Sequence, residues 1–223
     1  MNRAKAILLM FPVILCGCSS ARMAPPGPAD YYYINPDKNL SAVGRVAIVE
    51  LDNYSSYPHI SGDVTDAIFQ ELQKRQVFSL TIVRRNDAVW RSLQMDLSSG
   101  YQLEELVEIR KALKCSAVLV GSVTEFRPYP HVVVGLRLKL LDLEDGQLLW
   151  ALEQIWDAAD KTTEDRVKRY VHHQMHPDFS SSRQHLLAVS PISFIKFVAY
   201  EVGQTLSRNR RRQGGLPGVS VGR

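Results

Sequence analysis

The apolar residues of this chain change period several times, and each period predicts an element. Val43 to Leu51 reads Val-Gly-Arg-Val-Ala-Ile-Val-Glu-Leu, a nearly unbroken β-branched run that predicts a buried strand. Val64, Ala67, Ile68, Phe69 and Leu72 then recur at helical spacing. Ser61 or Asp63 serves as the cap of that helix, and Gln73-Lys74-Arg75-Gln76 is its polar end. Val77 to Val83 predicts a second strand. Asn86 or Asp87 can cap a short helix carrying Val89, Trp90 and Leu93, and Leu103 to Leu113 repeats near helical period through Leu106, Val107 and Ile109. Ala117 to Phe126 predicts a third strand, broken by Pro128 and Pro130.

The clearest alternation follows. Val132, Val134, Leu136, Leu138 and Leu140 face one way, with Arg137 and Lys139 on the other side. Glu144-Asp145-Gly146-Gln147 supplies an Asp-Gly turn, and the return strand Leu148 to Asp157 places Leu148, Trp150, Leu152 and Trp156 on one face. Beyond it, Thr163 to Met175 predicts a helix. Ser190-Pro191 opens another in the N-cap and N1 arrangement, running through Phe194, Ile195, Phe197, Val198, Tyr200, Val202 and Leu206. This aromatic-rich helix has two uses open to it, packing on the sheet or contacting a neighbouring subunit. Strands alternating with helices predict the α/β class: a single mixed β-sheet layer with packed helices, plus C-terminal helices.

The ends of the chain differ from this middle. Arg3 and Lys5 precede an apolar stretch from Ala6 to Leu15, too short to cross a bilayer as a helix, which is the layout of a secretory signal. Leu15-Cys16-Gly17-Cys18 follows, and it resembles the lipobox of bacterial lipoproteins. That resemblance implies cleavage before Cys18 and a lipid thioether on the Cys18 sulfur. Using Cys16 instead would put Ile14 and Leu15 in the places of small residues. Ser19 after the cysteine implies sorting to the outer membrane, with the domain facing the periplasm. Residues 1–17 are thus expected to be a signal peptide and 18–41 a lipidated cysteine with a flexible, Pro-rich tether. Residues 42–207 are expected to form the periplasmic domain, and 208–223 a disordered basic tail. Tyr31-Tyr32-Tyr33 interrupts the tether and has two candidate docking places, the domain itself or a neighbouring subunit.

Removal of the signal changes the charge. The whole chain is +4, but Arg3 and Lys5 leave with the signal, so the remainder is +2. Much of that sits in Arg208, Arg210, Arg211 and Arg212, a cluster able to touch an anionic surface or simply to cap the negative end of a helix. This balance and export together argue against a nucleic-acid partner. Cys115 would be the one thiol left in the folded part, so no internal disulfide is expected there, and a buried apolar role suits it.

Several phrases of the middle, Val46-Ala47-Ile48-Val49, the helix to Leu72, Phe78 to Arg85, Leu113 to Phe126, and Leu140-Leu141-Asp142 through Trp150, are similar to the curli-secretion lipoprotein (CsgG) family. That likeness covers about half the chain. It implies a fold of the TolB N-terminal and anticodon-binding type, and a non-enzymatic envelope protein, often oligomeric. The family spans secretion pores, export rings, flagellar lipoproteins and activators of peptidoglycan synthases. An oligomeric scaffold or secretion component is therefore expected, with a monomeric activator of a peptidoglycan synthase as the alternative. The hairpin strands are long enough to span a membrane, but the tight turn and the place in the fold assign them to the core.

Catalytic patterns are weak. His172 and His176 lie four apart on the predicted helix, a spacing that suits a metal pair, but His173 stands where a zinc protease needs its glutamate. Val120-Gly121-Ser122-Val123-Thr124 lacks the second glycine of a nucleophile elbow. No enzyme activity and no cofactor are expected.

Overall fold

The computed structural model describes residues 31–93, 102–174 and 190–213. Seven strands form one mixed sheet: β1 (Tyr32–Ile34), β2 (Arg45–Val49), β3 (Asp52–Asn53), β4 (Ser79–Val83), β5 (Ala117–Arg127), β6 (Val133–Asp142) and β7 (Leu148–Asp157). Their order is β1-β7-β6-β5-β2-β4, with β3 beside β5. β2 runs parallel to both β4 and β5, whereas β5, β6, β7 and β1 are successively antiparallel. The helices are α1 (Ile60–Lys74), α2 (Ala88–Leu93), α3 (Leu103–Leu113), α4 (Lys161–Gln174) and α5 (Pro191–Gln213).

The helices lie on both faces of the sheet. On the first face, Val46, Ile48, Leu119, Leu136, Leu138, Trp150 and Trp156 pack against Val64 and Ile68 of α1, Val167 of α4 and Phe197 and Val202 of α5. On the second, Ala47, Val49, Val118 and Leu141 pack against Leu106 and Ile109 of α3, with Trp90 of α2 at the margin. Strand β2 is thus buried on both sides, which is why its sequence is an unbroken apolar run rather than an alternating one. α2 and α3 cover only part of the second face. At the far ends of β6 and β7 that face is open, with Arg137 and Glu153 exposed.

Where the structure departs from the sequence expectations, the reasons are local. The expected tether does not reach residue 41. Tyr32–Ile34 pairs with Leu152–Trp150, and Leu40, fully buried, opens a 3-10 turn. Asn35 fixes this segment by donating to the Leu148 carbonyl, and Lys38 binds Asp142 and Asp145 at the hairpin turn. Helix α1 starts at Ile60 with no side-chain cap, because Ser61 is already inside the helix and its carbonyl takes the Thr65 hydroxyl. Leu148 does not share a face with Trp150. The β6–β7 register shifts between Leu140 and Leu141, so Leu149 joins Trp150 in the first core and Leu148 turns to the second. Helix α5 continues to Gln213, so Arg208, Arg210, Arg211 and Arg212 belong to a helix rather than to a tail. Helix α3 matches its predicted bounds. Gln102 forms a reciprocal capping box with Glu105, and Lys114 ends the helix in the left-handed region at φ 50°.

Candidate functional site

Cys18 lies outside the described residues, as does His176. His172 is on the exposed side of α4. Arg208, Arg210, Arg211 and Arg212 form the last turns of α5. Cys115 is buried on the α3 face of the sheet, opposite α4 and α5, and burial pushes its thiol above its ordinary value. Of these, Cys115 and His172 lie on opposite sides of the sheet and do not form a common site. Among the described residues, no three His, Cys, Asp or Glu side chains gather to hold a metal ion. No helix among them is long and apolar enough to cross a membrane.

The structure instead forms a cleft where strand pairing runs out. β1 pairs with β7 only from Trp150 to Leu152, and the Glu153 amide makes the final bond to the Tyr31 carbonyl. From there, among the described residues, β7 is the edge of the sheet, ending at the turn that leads into α4. Asp160 caps that helix. Its carboxylate accepts the Thr163 amide at 2.8 Å and the Thr163 hydroxyl at 3.0 Å, which holds its carboxyl below the usual range. The cap fixes the first turn of α4, so Thr163 and Arg166 line the same cleft as Gln154 and Ile155 of β7. Its volume is about 760 Å³.

The floor is a buried polar cluster. Arg166, only 10% exposed, places Nη1 3.2 Å from Glu201 Oε2 on α5, and its Nη2 donates to Thr163 Oγ1 at 3.3 Å. The indole N–H of Trp156 donates to the same Glu201 oxygen at 2.7 Å. The guanidinium and the carboxylate neutralise each other, as a pair buried this deeply must. Two polar atoms of the cluster are left over. Arg166 Nε and Gln154 Oε1 are buried and have no hydrogen-bond partner among the described residues.

The rim is charged, and two of its carboxylates are met by guanidinium groups. Arg137 binds Glu153 at 2.6 Å, raising the guanidinium pKa and lowering that of the carboxyl. His131 lies 3.4 Å from Asp157, and Arg127 binds Glu125 at 2.8 Å. Two exposed apolar groups complete the lining, Tyr31 at 73% and Ile155 at 58%. The lining holds carboxylates, guanidinium groups and hydroxyls but no Cys, Ser or Lys.

Sequence reasoning identified none of this cluster, although one signal was present. Glu201 stands four residues after Phe197 and one before Val202, on the apolar stripe of the last helix. A carboxylate there needs a partner. Trp156 and Arg166 supply it.

No family model matches the chain, the curli-secretion family's included, and no curated protein matches it. Solved structures do resemble it. A PelC dodecamer from Paraburkholderia phytofirmans is 16% identical, over 75% of this chain and 96% of that one, at a TM-score of 0.42. Lipoprotein GNA1162 from Neisseria meningitidis is 15% identical over 61% and 99%, at 0.40. The LpoB C-terminal domain from Salmonella enterica is 16% identical over 51% and 82%, at 0.38. Each is a distant likeness.

Proposed function

We propose that this chain is an outer-membrane lipoprotein, held by lipid on Cys18 and facing the periplasm, whose α/β domain is a non-catalytic scaffold in an envelope assembly or secretion system. The observation that carries the reading is the N-terminal pattern: Arg3 and Lys5, the short apolar stretch Ala6 to Leu15, then Gly17-Cys18-Ser19. A protein fixed to a membrane by acyl chains is concentrated in two dimensions, which favours self-assembly, and the domain is proposed to work as a homo-oligomer. Arg208, Arg210, Arg211 and Arg212, on the last turns of α5, are proposed to contact an anionic surface such as lipid headgroups.

The test is metabolic labelling with a fatty-acid probe in a bacterial host, followed by membrane fractionation. Wild type should carry label and sediment with outer membranes, and Cys18→Ala should lose the label and leave the membrane. Membrane retention of unlabelled Cys18→Ala would overturn the anchoring. The absolute mass of the detergent-solubilised protein decides the second half. A discrete oligomer supports the scaffold, whereas a monomer at all concentrations favours a partner-activating module.

A further inference from the structure

Along its last residues β7 is paired on one side only. Its inner side follows β6 as far as Asp157, opposite Val133, whereas on its outer side the Glu153 amide makes the last bond to β1. The N–H and C=O of a strand residue point the same way, and the direction alternates along the strand. Ile155, two residues beyond Glu153, therefore presents both its amide and its carbonyl outward. No strand among the described residues takes them. Such a row of unpaired backbone groups is a template for another strand. The cleft follows this row. Gln154 and Thr163 line it on one face of the sheet and Ile155 and Asp157 on the other, with Tyr31 at one end and Asp160 at the opposite end. The exposed Tyr31 and Ile155 side chains add apolar surface beside the row.

Charge selects what can lie there. Glu153, Glu125 and Glu201 are each met by a guanidinium group. Asp157 and Asp160 are not. Asp160 holds the amide and hydroxyl of Thr163, both neutral. Asp157 takes the Ala159 amide, and His131, 3.4 Å away, carries charge only when protonated. The cleft is thus net negative. A second copy is a poor occupant. Two β7 edges paired about Ile155 would set Glu153 against Asp157 of the other copy, and like charges directly opposite are destabilising. Strand β4, the other edge of the sheet, reads Ser-Leu-Thr-Ile-Val and brings no cation. We propose that the free edge of β7 takes an extended, cationic peptide segment of a partner protein as an added antiparallel strand. The partner residue opposite Ile155 exchanges both backbone hydrogen bonds with it and is apolar. A lysine or arginine two residues earlier in the partner lies opposite Asp157. This goes beyond the anchoring and scaffold reading and does not rest on it.

The experiment titrates the full lipidated, nitrogen-15-labelled protein in an uncharged detergent with acetyl-Lys-Thr-Val-Thr-Lys-amide, reading the amide resonances of Ile155 and Asp157. Both should move saturably, and binding should weaken with added salt. A peptide with glutamate in place of both lysines should not bind. A peptide N-methylated at the valine keeps its charge but loses one strand hydrogen bond, and should bind about tenfold more weakly. Ile155→Pro removes the outward N–H without touching a bond to β6, a place where an edge strand tolerates proline, and should cost a similar factor. Asp157→Asn, which can still accept the Ala159 amide, should weaken binding about threefold, the scale of one exposed ion pair. Unmoved β7 resonances overturn the proposal, as does equal binding of the glutamate or N-methylated peptide. Binding unchanged in both variants overturns it too. So does an Ile155 amide already protected from exchange in the free protein, because the edge is then covered by this chain or a second copy. Binding in detergent is independent of attachment to a cell membrane, so failure here leaves the anchoring reading standing.

Discussion

Glu201 and Trp156, 45 positions apart in the chain, meet through a 2.7 Å hydrogen bond in which the indole N–H donates to the carboxylate. Arg166 binds the same oxygen from α4, so one buried atom joins the sheet to two helices. A second tie of the same kind lies one helical turn further along α5, where Trp150 donates to Thr205 at 3.1 Å.

Removing the shared carboxylate should therefore be costly. Glu201→Ala leaves Arg166 as a buried charge without its partner, and such losses typically amount to about 3–5 kcal/mol. Urea unfolding followed by tryptophan fluorescence would measure it. A loss below about 1 kcal/mol would mean that Arg166 reaches water in solution, contrary to the buried geometry.

The clasp at the other end of the hairpin predicts a pH dependence. Hydrogen bonding from Lys38 holds the Asp145 carboxyl below its ordinary 3.8, and bonds to Asp145 and Asp142 raise the Lys38 ammonium above its ordinary 10.5. A lowered acid contributes stability above its unfolded pKa and loses it as pH falls through the folded value. A raised base contributes below its unfolded pKa and loses it as pH rises through the folded value. The segment Asn35–Ala42 should thus be held most firmly between about pH 4 and pH 10. Amide exchange of this segment, corrected for intrinsic rates, should accelerate in wild type once the pH falls below the ordinary 3.8 of Asp145. It should be fast already at neutral pH in Lys38→Met.

Gly121 on β5 tolerates no side chain. A Cβ there would lie 2.1 Å from the Arg137 carbonyl oxygen and 2.9 Å from Leu138 Cα, both backbone atoms of the paired strand. Gly121→Ala must push β6 away from β5 and should destabilise by about 1–3 kcal/mol, in the range of overpacked cores. Thermal melting would show the loss. Gly203→Ala is the useful contrast, because the nearest atom it would meet is Arg75 Nε at 2.8 Å, on a long side chain able to shift.

Cys115 should be chemically silent. Burial raises its thiol pKa, so the thiolate that reacts with alkylating agents is scarce at neutral pH, and the side chain is buried in the second core. Iodoacetamide should label it only after denaturation. Labelling of the native protein within minutes would contradict its placement.

The pattern of apolar residues was enough to read the hairpin, the doubly buried β2 and the bounds of α3, because each rests on local period and turn chemistry. What escaped it depends on contacts between distant parts. Tyr32–Ile34 carries no strand alternation of its own and becomes a strand only because β7 offers an unpaired edge. The bulge at Leu149 reverses the face of Leu148 without a proline or glycine to mark it. The cleft combines Tyr31, Gln154, Arg166 and, beneath them, Glu201, from four separate elements. No spacing rule links such residues before the chain folds.

The pairing of β1 with β7 also sets a leash. If Cys18 carries the lipid, only thirteen residues, 19 to 31, separate the acylated sulfur from the first strand. Fully drawn out they reach about 45 Å, and as a loose coil about 20 Å. The domain would then ride close above the lipid surface, with the Tyr31 side of the sheet nearest the anchor. Whatever it engages would then have to come to that lipid surface, since the leash is too short for the domain to go looking.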